Sequence, residues 1–152
     1  LGTFIERADN TARILDVKYY VLLPSAKAVG TSIDNVQWET ILRSVSAYGG
    51  FRLEYGHEAG PGDIAKFLIL DKRMPRSLIY CCEILKLHLS SLCSTYRNKP
   101  ASFSQIMQLQ KRFLTHDIEA IFKFGLHDFL QKMISLFADL SDQIEIDYRF
   151  YE

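Results

Sequence analysis

The stretch Leu78-Ile79-Tyr80-Cys81-Cys82-Glu83-Ile84-Leu85-Lys86-Leu87-His88-Leu89-Ser90-Ser91-Leu92 decides the fold class. Within it Leu78, Cys82, Leu85, Leu89 and Leu92 recur at intervals of four, three, four and three, the spacing that stacks side chains on one face of an α-helix. Pro75 suits the first position of that helix, where a missing N–H costs nothing.

Downstream, residues 97–100 form a polar break, and Ser102 with Gln105 reads as a capping box. The helix it opens carries Phe103, Ile106, Met107, Leu109, Phe113, Leu114, Ile118 and Ile121. Apolar on more than one side, this helix is expected to sit centrally. Gly125 marks its end or a kink, and a last helix carries Leu126, Phe129, Leu130, Met133, Phe137, Leu140, Ile144 and Tyr148.

Upstream, residues 63–70 could make a short helix or a buried strand; with no partner strand elsewhere, a helix is the consistent reading. Residues 56–62, ending in Gly60-Pro61-Gly62, are the clearest turn. Before them, Asp34 and Gln37 read as a capping box for a helix with Trp38, Ile41, Leu42, Val45 and Tyr48. Gly49-Gly50 should weaken or bend it, each costing about 1 kcal/mol against alanine in a helix interior, before it resumes through Tyr55. Residues 25–33 read as a loop behind Pro24. The first helix carries Leu1, Phe4, Ile5, Ala8, Ala12, Leu15, Tyr19 and Leu22. Its periodicity is already running at Phe4 with no cap ahead, so the chain is expected to begin inside a helix, as a piece of a longer polypeptide. The sum is an all-α bundle of about five long helices and one short one, in a single domain spanning residues 1–152.

Composition narrows the partners. Lys and Arg total 18, as do Asp and Glu, so no net charge draws the chain toward nucleic acid or an anionic membrane. No run approaches the roughly 20 apolar residues needed to span a bilayer. The three cysteines, an odd count, argue for reduced, inert thiols and a cytoplasmic location. His57, His88, His116 and His127 show no metal-ligand spacing. No nucleophile elbow, phosphate loop or dinucleotide fingerprint is present, so no cofactor and no metal is expected.

Two places could carry chemistry. On the first helix Glu6, Asn10, Arg13 and Val17 share a face opposite the apolar stripe, while Arg7 lies on another side, so Glu6 and Arg7 point in different directions. They are either solvent-facing or enclosed beneath a second layer of helices. The turn Asp71-Lys72-Arg73-Met74-Pro75-Arg76-Ser77 puts three cations and a hydroxyl at a helix start, where free N–H groups and the macrodipole favour an anion. Lys72, Arg73, Arg76 and Ser77 are therefore anion-binding candidates; a solvated charged loop is the other reading.

The run of residues 1–17, LGTFIERADNTARILDV, resembles the opening of the bacterial alpha-E family, named for its Glu-Arg pair. Further matches follow in family order: Trp38 with Ile41-Leu42-Arg43-Ser44-Val45-Ser46-Ala47-Tyr48, Phe67-Leu68-Ile69-Leu70-Asp71, Pro75-Arg76-Ser77, Tyr80-Cys81 and Gly125-Leu126-His127-Asp128-Phe129-Leu130. The resemblance implies an all-helical chain that is the second half of a two-repeat protein, with Glu6, Arg7, Arg13, Asp71, Arg76 and Ser77 as the candidate polar site, beside Pro75. It also implies genomic company with ATP-grasp ligases and transglutaminase-like peptidases, hence peptide or amide-bond chemistry. Its expected partner is an ATP-grasp-type ligase, the missing half or, as a homodimer, a second copy. Two functions follow: a non-catalytic accessory that holds a partner, or an enzyme with Glu6 as acid or base and arginines orienting an anionic substrate.

Overall fold

A computed structural model describes residues 1–21, 32–56 and 60–149 of the chain, and these contain eight helices and no strand. They are α1 Gly2–Val21, α2 Ser32–Ser44, α3 Tyr48–Tyr55, α4 Pro61–Leu70, α5 Leu78–Tyr96, α6 Ala101–Thr115, α7 Ile118–Phe124 and α8 Leu126–Tyr148. The all-α expectation holds. The expectation for the Pro24 stop and the loop behind it falls largely outside the described residues.

Four long helices close a ring in which α1 packs on α5 and α8, and α6 packs on the same two from the other side. Residue pairing sets the directions. Thr11 meets Arg76 and Phe4 meets His88, so α1 and α5 are antiparallel. Asp16 meets His127 while Ile5 lies by Phe137, so α1 and α8 are antiparallel too. Ser102 meets Asp147 and Phe113 meets Phe129, which makes α6 antiparallel to α8. The short helices α2, α3, α4 and α7 gather at the end where α1 and α6 finish and α5 and α8 begin.

The sequence explains why α1 takes so enclosed a place in the ring. Ala8, Thr11, Ala12, Leu15 and Lys18 are all buried, at intervals of three, one, three and three, and the small alanines admit neighbouring backbones at close range. Its outward Val17 stays half exposed.

Four expectations need correction. The second helix breaks three residues before the glycine pair. Ser46 adopts φ 56°, the Ser46 N–H reaches the Arg43 carbonyl and the Ala47 N–H reaches that of Leu42, the bonding of a Schellman stop; Tyr48 then opens α3, with Gly49 and Gly50 in its first turn. The helix expected to be central is two. α6 ends at Thr115 and buries one face, Ser102, Ile106, Leu109 and Phe113, while Met107 and Leu114 remain exposed. Asp117 caps the separate α7, accepting the Ala120 N–H at 2.8 Å. The Ser102–Gln105 box does not form, because Pro100 is the cap and Ser102 turns inward. Its N–H is taken instead by the Asp147 carboxylate of α8 at 2.7 Å. Last, Pro75 lies in the turn ahead of α5, whose cap is Ser77.

The capping box expected at Asp34 falls outside the residues whose side chains are described. Residues 63–70 are helical, with Pro61 at the first position and the Asp63 carboxylate accepting the Gly60 N–H at 3.0 Å. Gly125, at φ 113°, ends α7 and opens α8. No helix among the described residues is long and apolar enough to cross a membrane.

Candidate functional site

The turn before α5 is built by its own polar groups. Asp71 accepts the Arg73 N–H at 2.7 Å, and its carbonyl accepts the Ser77 hydroxyl at 2.5 Å. Ser77 in turn accepts the Tyr80 N–H at 3.1 Å. Its hydroxyl is used in both directions and wholly buried, so Ser77 latches the turn and is closed to a ligand. Lys72 pairs with Glu83 at 3.1 Å, and Arg73 pairs with Glu54 at 2.6 Å and Asp71 at 3.3 Å. Both cations are more than half exposed, so these pairs are solvated and weak. Of the four anion-binding candidates, three are thus matched from within the protein, and Arg76 is left.

Arg76 has a different neighbour. The Thr11 hydroxyl of α1 donates to its carbonyl at 2.8 Å, which pins α1 to the turn. One helical turn before Thr11, on the same side of α1, the Arg7 guanidinium lies 5.2 Å from the centre of the Phe4 ring. Phe4 itself tilts against Tyr80 at 6.4 Å and His88 at 6.0 Å. Arg7 and Arg76 are both partly buried, and neither forms an ion pair among the described residues.

Both charges act on Cys81, in the first turn of α5. Burial pushes its thiol up to about 11, against the opposing pull of the Arg7 and Arg76 charges. Cys82 is pushed by burial up to about 12. Both sulfurs are fully enclosed, because α5 is covered on two sides, by α1 and by α6. Thiols so protonated are poor nucleophiles.

Glu6 belongs to another side of α1. It is exposed and lines a shallow groove of about 350 Å³ with Gly2 and Ile5 of α1 and Phe137, Ala138 and Asp142 of α8. The Glu-Arg pair is therefore divided by the helix, as the wheel anticipated: Glu6 toward α8, Arg7 toward α5. Arg13 shares Glu6's side, is 60% exposed and pairs with Asp9 at 2.7 Å. Of the candidate polar residues, Arg7, Asp71, Arg76 and Ser77 come together at the start of α5, while Glu6 and Arg13 do not join them.

Sequence reasoning passed over two constellations. The Asp16 carboxylate takes His127 Nδ1 at 2.6 Å and the Gln131 amide at 2.7 Å, tying α1 to the start of α8. A carboxylate only accepts, so Nδ1 carries the proton. The two partners of Asp16 lie more than a hundred positions away, beyond any local pattern. Lys18 is 1% exposed, donates to Gln37 at 2.7 Å and sits 5.2 Å from the Trp38 ring. Its signal was available: it continues the Ala8, Thr11, Leu15 stripe, where a lysine has to be enclosed. Among the described residues no three His, Cys, Asp or Glu side chains converge as metal ligands would.

One family model matches the chain, over residues 1–148, and describes a predicted alpha-helical domain with a conserved ER motif. No curated protein and no solved structure matches it.

Proposed function

The chain belongs to the Alpha-E family, and from that membership we propose that it is a non-catalytic accessory module, a helical surface that holds a protein partner in peptide or amide-bond formation. The partner class is an ATP-grasp-type ligase, working beside transglutaminase-like peptidases. The observation that carries this reading over an enzyme is the separation of Glu6 from Arg7 and Arg76, while Arg13, on Glu6's side, is held by Asp9. An acid or base must lie within hydrogen-bond reach of the group it serves, and Glu6 opens into a groove that neither Arg7 nor Arg76 lines. The buried thiols supply no alternative nucleophile.

The surface offered to a partner is the end of the molecule around α7. Leu114, Phe122 and Phe124 are 63%, 45% and 64% exposed, and aromatic anchors of this kind dominate protein interfaces. In a pull-down with this chain as bait against a purified ATP-grasp ligase encoded beside it, the ligase is expected to be retained. Phe122→Ser with Phe124→Ser should abolish retention while moving the unfolding free energy by no more than about 0.5 kcal/mol, since both side chains are exposed. Glu6→Gln should leave retention unchanged. If the ligase is not held, and the chain instead forms a dimer through the same two phenylalanines, the surface serves a second copy and the ligase reading fails.

A further inference from the structure

Arg7 and Arg76 differ from the arginines around them. Arg13 and Arg73, both more than half exposed, and Arg52, partly buried among the short helices, have each found a carboxylate within 2.7 Å. Arg7 and Arg76 are partly buried, belong to one seam because Thr11, one turn along α1 from Arg7, bonds the Arg76 carbonyl, both act on the Cys81 thiol, and form no ion pair among the described residues. Like charges so placed repel, and a cation withdrawn from water without a counter-ion is costly. The arrangement is complete only when an anion comes from outside.

The geometry prepares them for one. The cation–π contact with Phe4 restrains the Arg7 guanidinium, so less side-chain freedom is lost on binding. The Thr11 hydroxyl fixes the Arg76 backbone against α1, and the Ser77 latch fixes the turn that carries it. We propose that Arg7 and Arg76 form a two-guanidinium cradle that binds a small oxyanion, carboxylate or phosphate, at the seam between α1 and the start of α5. Two planar forks can grip such a group bidentately, which a pair of lysines could not do. The rings of Phe4, Tyr80 and His88 lie along one side and supply an apolar wall for whatever carries the oxyanion. Both charges are already felt at the Cys81 sulfur beneath. Glu6 has no part in this site. The inference goes beyond the accessory reading and survives if no ligase is captured.

Thermal unfolding of the full chain tests it, with sodium phosphate or sodium acetate replacing chloride at constant ionic strength and pH 7. The wild-type Tm is expected to rise by about 3 to 5 °C at saturating anion. A response to phosphate alone assigns phosphate, and a response that includes acetate assigns a carboxylate. The double variant Arg7→Gln, Arg76→Gln should lose the response, while Arg73→Gln should keep it. Phosphate also stabilises proteins by exclusion from their surface, and that general effect would appear equally in the double variant. No rise with either anion, or an equal rise in the double variant, overturns the cradle. Should the variants fail to fold, titrating the wild type with phosphate or acetate by NMR decides. The Arg7 and Arg76 Nε–H signals must move with one of the two anions, and their standing still under both overturns the proposal.

Discussion

Phe137→Ala is expected to lower the free energy of unfolding by about 3 to 5 kcal/mol, the range for removing a buried aromatic ring. Phe137 is fully buried on α8 and sits where that helix crosses the opening turns of α1, beside Ile5 and Glu6. The removed ring would leave a void continuous with the groove of about 350 Å³ already present there. Water can enter from that side, which places the expected cost nearer the lower bound. Leu114→Ala provides the contrast: its side chain is 63% exposed, and its loss should cost no more than about 0.5 kcal/mol. Urea unfolding followed by circular dichroism measures both, and an unchanged slope on denaturant would show that the native and unfolded states keep their relative exposure.

Ser77→Ala is the second large effect, and it comes from hydrogen bonds in place of volume. The hydroxyl caps α5 through the Tyr80 N–H and closes the turn through the Asp71 carbonyl. Loss of a cap costs about 1 kcal/mol, and loss of the buried bond to the carbonyl about 1 more, so a fall of about 2 kcal/mol is expected. Hydrogen exchange should localise it. The Tyr80 amide, left without an acceptor, should exchange faster, and the amides of α8 should slow or quicken only with global stability.

Much of the bundle was legible because helical spacing is a local property. Leu78, Leu85 and Leu89 fixed α5, Phe129, Met133 and Phe137 fixed α8, and each is buried in the folded chain. The helix stops were less legible. Ser46 ends α2 and Arg97 ends α5 in the left-handed region, at φ 56° and 51°, although glycine is the residue expected there. Asp147 caps α6 from a different helix, and nothing near Ser102 announces that. The same limit governs the candidate site. That Glu6 and Arg7 diverge follows from the angle between consecutive residues of a helix. That Thr11, on the Arg7 side of α1, meets the Arg76 carbonyl depends on the antiparallel packing of α1 on α5. Lys72 and Arg73 stood beside Arg76 as anion-binding candidates, and it is Glu83 and Glu54, brought in by other elements, that match them from within the protein.

The division of the Glu-Arg pair between two sides of α1 is the claim on which the functional reading rests, and a double-mutant cycle tests it directly. The unfolding free energies of wild type, Glu6→Gln, Arg7→Gln and the double variant are measured in urea at low salt. Residues adjacent in a helix do not face one another, so the two single effects should sum to the double effect within about 0.5 kcal/mol. A coupling energy of about 1 kcal/mol or more would mean that Glu6 and Arg7 act on each other or through a shared partner, and would contradict the account.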